Sequence, residues 1–200
     1  MNKYITEFIG TFFLVFTIGC TVIPGAPGVI PPLAIGAALM VMIFAGGHVS
    51  GAHYNPAVSL AVFMRHRLPL KDFLPYVLVQ CAGALAAAAV ATSLHGTGKA
   101  MEIQARPAFI AELLFTFALA YVVLNVATAK ANANNSFYGL AIGMTVMTGA
   151  FAVGGISGGA FNPAVALGAA TMGLLPFSAI WVHITANLLG AAVAAAKIGR

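Results

Sequence analysis

The feature that most constrains this chain is a ten-residue segment that occurs twice. Residues 49–58 read VSGAHYNPAV, and residues 156–165 read ISGGAFNPAV. The tripeptide Ala-Ile-Gly at 34–36 recurs at 141–143 with the same offset of 107 residues. A Glu-x-x-x-Thr pattern also lies near the start of each copy, at Glu7 and at Glu112. A shared offset over separate motifs indicates a duplicated structural unit. We therefore predict a single domain over residues 1–200, built from two repeats at approximately 1–95 and 106–200.

Long apolar stretches, separated by proline and glycine, make up most of each repeat. Charged residues are only 6% of the chain and apolar residues 61%, whereas soluble domains carry about 25% charged residues. Because so few charges cannot cover the surface of a soluble protein, a soluble enzyme and a disordered chain are both excluded. A membrane-spanning helix needs about 20 apolar residues. The candidates of that length are residues 4–23, 33–49, 73–94, 108–128, 137–153 and 176–197.

Two further apolar segments, 55–64 and 162–172, are too short to cross a bilayer. Asn55 and Asn162 are good N-cap residues, and Pro56 and Pro163 occupy the first helical positions after them. A helix of about ten residues is roughly 15 Å long, half of the roughly 30 Å apolar core. Three spans per repeat would invert the second repeat relative to the first, so the two short helices would enter from opposite faces and meet at the centre. The predicted fold class is an all-α membrane protein with six transmembrane helices and two re-entrant half-helices.

Glycine-rich segments lead into both half-helices, at 46–51 and 154–159. We expect extended backbone there, which is tolerated at that depth only beside water or protein, so its free carbonyl groups predict a polar path. Every proline is expected in a connection or in a first helical turn.

The placement of Lys and Arg predicts the orientation. We predict a multi-pass plasma-membrane protein with both termini in the cytoplasm. In this orientation seven basic residues lie inside and only Lys99 and Arg106 lie outside, as the positive-inside rule requires. The inside set is Lys3, Arg65, Arg67, Lys71, Lys130, Lys197 and Arg200.

Several functional classes find no support in the sequence. The basic residues are too few and too scattered for nucleic-acid binding. Cys20 and Cys81 lie singly in apolar stretches and are interpreted as small hydrophobic residues. No nucleophile–base pair and no metal-ligand pattern is present, so we expect no enzyme activity, no metal and no cofactor. The glycine-rich segments lack the Gly-Lys-Ser/Thr ending of a phosphate-binding loop.

The paired Asn-Pro-Ala motifs on two three-span repeats resemble the aquaporin, or major intrinsic protein, family. The resemblance covers nearly the whole chain and implies one pore per subunit, a homotetramer in the lipid bilayer, and small neutral solutes as the permeants. It implies that Asn55 and Asn162 present their side-chain amides at the pore centre. The half-helices that follow them would start with Pro56 and Ala57 and with Pro163 and Ala164. The resemblance also implies that Glu7 and Glu112 brace the re-entrant loops. We further expect His48 to support the first re-entrant loop.

One position departs from the family pattern. Family members generally have Arg three residues after the second Asn, where this chain has Val165. Counting from the motifs, the other constriction positions would be Ile35, Ala150 and Gly159. Because all four are small or apolar, the constriction is expected to be wider and less polar than a strict water filter.

We therefore predict a passive channel for small uncharged solutes, with water and glycerol-like molecules as the main permeants. A channel for metalloid hydroxides such as arsenite or boric acid, or for gases, is the alternative. A secondary transporter is a further alternative, since inverted repeats and broken helices also occur in that class.

Overall fold

The computed structural model describes residues 2–197, and within that range its regular secondary structure is helical, without strands. Arg200, one of the basic residues predicted to be cytoplasmic, lies outside the described residues. Residues 1, 198 and 199 of the predicted domain also lie outside them. The eight α-helices are α1 Lys3–Val22, α2 Ile30–Ser50, α3 Pro56–Met64, α4 Leu70–His95, α5 Ala105–Val123, α6 Tyr138–Ser157, α7 Pro163–Thr171 and α8 Ile180–Lys197. A π-helical turn, Leu124–Thr128, extends α5, and short 3-10 turns lie at Lys130–Asn132 and Phe177–Ala179.

Six of these helices are long and apolar enough to cross a membrane, namely α1, α2, α4, α5 with its π turn, α6, and α8 with its preceding 3-10 turn. The other two, α3 and α7, have nine residues each. The predicted fold class is thereby confirmed. Large apolar side chains point outward, as a lipid environment requires. On α4, for example, Leu70, Leu74 and Leu78 follow each other at intervals of one helical turn and are 72%, 60% and 60% exposed.

The structure corrects two expectations about the backbone. The glycines before the half-helices are mostly helical, because α2 continues to Ser50 and α6 to Ser157, and the non-helical segments before α3 and α7 are only residues 51–55 and 158–162. In addition, α4 begins at Leu70, three residues earlier than predicted, so Pro75 lies inside the helix. Pro75 has no N–H to donate to the preceding turn, and its neighbours Leu74 and Leu78 are on the lipid-facing side.

Glycine allows the main helix pairs to approach closely. α1 packs along α4, α5 along α8, and α2 along α6. A Cβ atom at Gly83 of α4 would lie 2.5 Å from the Phe8 carbonyl oxygen of α1, and one at Gly190 of α8 would lie 2.5 Å from the Leu113 carbonyl oxygen of α5. Small residues at helix crossings are how membrane helices gain packing contacts without a hydrophobic driving force.

Polar contacts define the two ends of the helix bundle. At one end, Lys3 Nζ lies 2.6 Å from Asp72 Oδ2 and the Tyr4 hydroxyl donates to Asp72 Oδ1 at 2.7 Å, which joins the starts of α1 and α4. At the other end, the connection between α4 and α5 is fixed to the segment after α7, because Gly98 N donates to the Met172 carbonyl at 2.9 Å.

Candidate functional site

Two short loops, residues 51–54 and 158–161, connect α2 to α3 and α6 to α7. Both start at a left-handed glycine, with φ of 85° at Gly51 and 86° at Gly158. Both also end at a bulky residue with positive φ, 50° at Tyr54 and 49° at Phe161. Such backbone costs energy for residues other than glycine and persists only where surrounding contacts fix it. Those contacts come from two buried carboxylates.

The Glu7 carboxylate holds the first loop. Its Oε1 accepts hydrogen bonds from Ser50 Oγ at 2.6 Å and His53 N at 3.0 Å, and its Oε2 accepts from Tyr54 N at 2.7 Å and Gln80 Nε2 at 2.8 Å. Glu7 is fully buried in α1. Four donors compensate the loss of hydration of a buried charge, and two of them are N–H groups of the loop itself.

The Glu112 carboxylate holds the second loop in the same way. Its Oε1 accepts from Ser157 Oγ at 2.7 Å and Ala160 N at 2.9 Å, and its Oε2 accepts from Phe161 N at 2.7 Å and Asn187 Nδ2 at 2.7 Å. Because both carboxylates take up the loop N–H groups, the loop carbonyl groups are left for other partners.

Four buried polar residues that the sequence analysis did not assign to the site complete these networks. Gln80 and Asn187 donate to the carboxylates, and Tyr76 and His183 contact the carbonyl oxygens that end α2 and α6. The Tyr76 hydroxyl donates to the Ser50 carbonyl at 2.8 Å, and His183 Nε2 lies 2.7 Å from the Ser157 carbonyl. Tyr76 and His183 are 107 residues apart, and so are Gln80 and Asn187, which is the offset of the duplicated segment. The repeat offset is thus the signal that would have found them.

Asn55 caps α3 and also contacts the other half of the protein. Its Oδ1 accepts from Ala57 N at 2.8 Å and, more weakly, from Val58 N at 3.4 Å. Its Nδ2 donates to the Phe161 carbonyl at 2.9 Å. Since an amide nitrogen carries two hydrogens, one N–H remains for a further acceptor.

Asn162 makes the corresponding contacts from α7. Its Oδ1 accepts from Ala164 N at 2.9 Å and Val165 N at 3.4 Å, and its Nδ2 donates to the Tyr54 carbonyl at 2.8 Å. The two half-helices therefore begin next to each other, and each asparagine is fixed by the loop of the opposite half.

A cavity of about 360 Å³ runs past both asparagines. Ile35, Ala150, Gly159 and Val165, the predicted constriction residues, all line it. Among its described lining residues Lys99, from the connection between α4 and α5, is the one with a formal charge. Much of the remaining lining is apolar and includes Leu14, Ile18, Leu39, Leu119, Val123, Ile142 and Val146.

The two histidines of the first repeat segment lie in different places. His48 is exposed and lines a second cavity at the end of the bundle where α1 begins, and among the described residues no hydrogen bond from it to the first loop supports the expected bracing role. It lies two residues before Ser50 on α2, and that spacing turns its side chain about 200° from Ser50 around the helix. His53 is the histidine within the loop: it is 9% exposed, and its Nδ1 lies 3.0 Å from Ser59 Oγ.

The described residues contain no cluster of three or more His, Cys, Asp or Glu side chains that could hold a metal ion. Cys20 and Cys81 are free thiols.

Comparison with known proteins places this arrangement among membrane channels. The sequence profile described as "Major intrinsic protein" matches residues 1–197. The chain is 37% identical to the "Glycerol uptake facilitator protein-like 6" of Lactiplantibacillus plantarum, over 98% of this chain and 95% of that protein. It is also 37% identical to "Aquaporin NIP1-3" of Oryza sativa, over 97% of this chain and 71% of that protein. The crystal structure of the aquaglyceroporin from Plasmodium falciparum has a similar fold, with a TM-score of 0.83, 25% identity, and coverage of 98% of this chain and 95% of that chain.

Proposed function

This chain belongs to the major intrinsic protein family, and we propose how its pore selects among the solutes that it carries. The protein is a multi-pass membrane channel for water and glycerol-like solutes, and it is not an enzyme. Its passive transport therefore depends on what the pore admits, and we assign the selection to two places along the cavity.

The first is the pore centre, where Asn55 and Asn162 select by hydrogen bonding. Each has one N–H that is not used by the opposite loop, and both line the cavity. These groups donate to the oxygen of a permeating water or hydroxyl group, which interrupts a hydrogen-bonded file of water.

The helix termini at the same place oppose cations. Each half-helix N-terminus carries roughly half a positive charge. At about 4 Å and an effective dielectric constant near 20, each opposes a monovalent cation by about 2 kcal/mol, so the two together contribute roughly 4 kcal/mol. Uncharged solutes do not meet this barrier.

The second place is the constriction formed by Ile35, Ala150, Gly159 and Val165. The single observation that supports glycerol-sized permeants best is that these four residues, which are small or apolar, line one cavity together. Gly159 contributes no side chain, and a Cβ atom there would lie 3.5 Å from the Ala150 Cα. The constriction therefore accommodates the carbon backbone of a polyol, while the central amides bind its hydroxyl groups.

The alternatives fit less well. The relatives named above are aquaporins and glycerol facilitators, which favours water and glycerol over metalloids. A coupled transporter usually requires an ionisable group that can exchange protons or ions at the midplane. Glu7 and Glu112 are the buried glutamates near it, and protein donors occupy all their carboxylate oxygens.

We further propose a homotetramer in the plasma membrane with both termini in the cytoplasm. Membership in the family supports the tetramer, and native mass spectrometry of the detergent-purified protein tests it. The distribution of Lys and Arg supports the orientation, and labelling of single cysteines introduced at Asn134 and Thr97 in intact cells tests it.

Stopped-flow light scattering on reconstituted vesicles tests the proposed function. We expect the protein to accelerate both water and glycerol equilibration over protein-free vesicles. The glycerol flux should increase linearly with the gradient and be unchanged by proton or sodium gradients. Saturable, ion-coupled uptake would contradict a channel, and acceleration of water alone would contradict the proposed constriction.

Replacement of Asn162 by aspartate should create a cation leak. The substitution removes the N–H that donates to the Tyr54 carbonyl and places a negative charge at the pore centre. At about 4 Å that charge attracts a cation by about 4 kcal/mol, which cancels the barrier of the helix termini. We expect potassium leak from vesicles to increase at least about tenfold. Gln104→Glu, the same amide-to-carboxylate change in an exposed connection, is the control, and an unchanged leak in a folded Asn162→Asp channel would refute the central role.

A further inference from the structure

The second cavity, of about 490 Å³, lies at the end of the bundle where α1 begins, and we call it the mouth cavity. It is lined by Gly47, His48, Gly51, Arg67, Tyr138 and residues 126–135, apart from Ala131. Its volume is in the range of small-molecule sites, about 300–1,000 Å³. Two of its lining residues, Arg67 and Lys130, are cationic, His48 adds an imidazole, and no carboxylate lines it.

The acidic residues of the protein lie elsewhere, so they do not neutralise this cavity. The chain has four, all within the described residues. Glu7 and Glu112 are buried beneath the loops, and Asp72 is paired with Lys3. Glu102 follows Met101, whose N–H bonds to the Leu174 carbonyl at the opposite end of the bundle. The mouth cavity therefore carries a net positive charge that is available to a ligand.

The end of α3 fixes the position of Arg67. His66 has φ of 57°, and its N–H donates to the Phe63 carbonyl at 2.8 Å, while Arg67 N donates to the Val62 carbonyl at 3.0 Å. These are the two hydrogen bonds of a Schellman motif. Arg67 thus begins from a defined backbone position beside the cavity.

Side-chain amides fix the segment that carries Lys130. Asn135 Nδ2 donates to the carbonyls of Val126 and Asn132, both at 2.7 Å, and Asn132 Nδ2 donates to the Asn125 carbonyl at 3.0 Å. Lys130 begins the 3-10 turn between these bonds. A wall that is ordered before a ligand arrives reduces the entropy cost of binding.

We propose that the mouth cavity binds a dianionic phosphate group, such as that of a small phosphate monoester. The planar guanidinium of Arg67 matches two phosphate oxygens, and Lys130 adds a point charge. His48 can donate from its imidazole. A dianion would not continue into the apolar pore cavity, because it would lose its hydration there.

A ligand held in the mouth cavity would obstruct the channel. Gly51 lines the mouth cavity, and the next residue, Ala52, lines the pore cavity. Adjacent residues of the first loop therefore line the two spaces. Phosphoryl transfer to a hydroxyl group is the class of reaction that would consume a permeating polyol, and its product is a phosphorylated polyol. Binding of that product in the mouth cavity would reduce influx when the product accumulates. This inhibitory role depends on the proposed function, whereas binding does not.

Calorimetric titration of the detergent-purified protein with glycerol phosphate, inorganic phosphate and sodium chloride measures binding directly. We expect saturable binding of the phosphate compounds at constant ionic strength and none of chloride. The double variant Arg67→Gln/Lys130→Gln should bind at least about tenfold more weakly, the equivalent of one charge-assisted hydrogen bond. Tighter binding of glycerol phosphate than of inorganic phosphate would identify the monoester as the ligand, and equal binding would identify the phosphate group alone.

Glycerol flux into vesicles with glycerol phosphate on both sides measures the consequence. We expect the wild-type flux to decrease and the double-variant flux to be unchanged. Arg106→Gln, which removes an exposed cation at the start of α5 away from both cavities, should remain inhibited like the wild type. Absence of phosphate binding to the wild type, or equal binding by the double variant, would overturn the proposal. A wild type that binds phosphate but transports no glycerol would instead contradict the proposed function.

Discussion

Replacing Glu112 by glutamine should destabilise the protein by about 3 kcal/mol and abolish its solute flux. Glutamine keeps the size of the side chain but converts one carboxylate oxygen into an NH₂ group. The Ser157 hydroxyl can rotate and the Asn187 amide can reverse, so these two partners can adapt. The N–H groups of Ala160 and Phe161 cannot, because each faces a different carboxylate oxygen. In either orientation of the glutamine amide, one of these backbone N–H groups faces the new NH₂ group. The protein then loses a charge-assisted hydrogen bond and keeps a buried, unsatisfied N–H, and both effects lower the free energy of unfolding.

Thermal unfolding of the detergent-purified protein and stopped-flow glycerol flux measure this effect. Glu102→Gln is the matched control, because it makes the same chemical change in the connection before α5, outside the loop networks. Glu7→Gln should behave like Glu112→Gln, since Glu7 binds His53 N and Tyr54 N through separate oxygens. A Glu112→Gln protein with wild-type stability and flux would show that the carboxylate does not fix the second loop.

Replacing Val165 by arginine should slow glycerol at least about tenfold, equivalent to about 1.4 kcal/mol in the barrier, and should slow water much less. Val165 is only 6% exposed, and it lines the cavity beside Gly159 and Ala150. An arginine side chain would occupy much of this space. Its N–H groups would donate to a passing water, but they would leave less room for the carbon chain of a polyol.

Stopped-flow measurement of both solutes in the same vesicles tests this prediction. Val165→Met is the control for bulk, because methionine is long and apolar but has neither the charge nor the donors. We expect Val165→Met to slow both solutes, and Val165→Arg to be the variant that separates them. If Val165→Arg slows water and glycerol by the same factor, Val165 does not form the constriction.

The sequence predicted the fold because its strongest signals arise from bilayer physics. The length of an apolar run and an Asn-Pro pair at the start of a short one are local properties, and the structure contains the six long helices and both half-helices. The boundaries before the half-helices were less predictable. Glycine lowers helix propensity, but Gly46 and Gly154 remain helical because α2 continues to Ser50 and α6 to Ser157.

The contacts of the site were predictable only in part. Asn55 and Asn162 stand in a motif, whereas Gln80 and Asn187 are single polar residues within apolar spans and have no local pattern. Their partnership with Glu7 and Glu112 depends on helix packing, which brings α4 against α1 and α8 against α5. His48 shows the opposite case, because it stands near a motif, yet the helical phase turns it towards the mouth cavity.

The crossed bonds between the asparagines and the opposite loops have a consequence for biogenesis. During synthesis the N-terminal half leaves the ribosome first, and the Asn55 amide then has no Phe161 carbonyl to bond to. Asn162 likewise depends on Tyr54. An unsatisfied amide is costly at the bilayer centre, so neither half can complete its own re-entrant segment alone. The conduit is consequently a late product of membrane insertion, finished only when the last third of the polypeptide arrives.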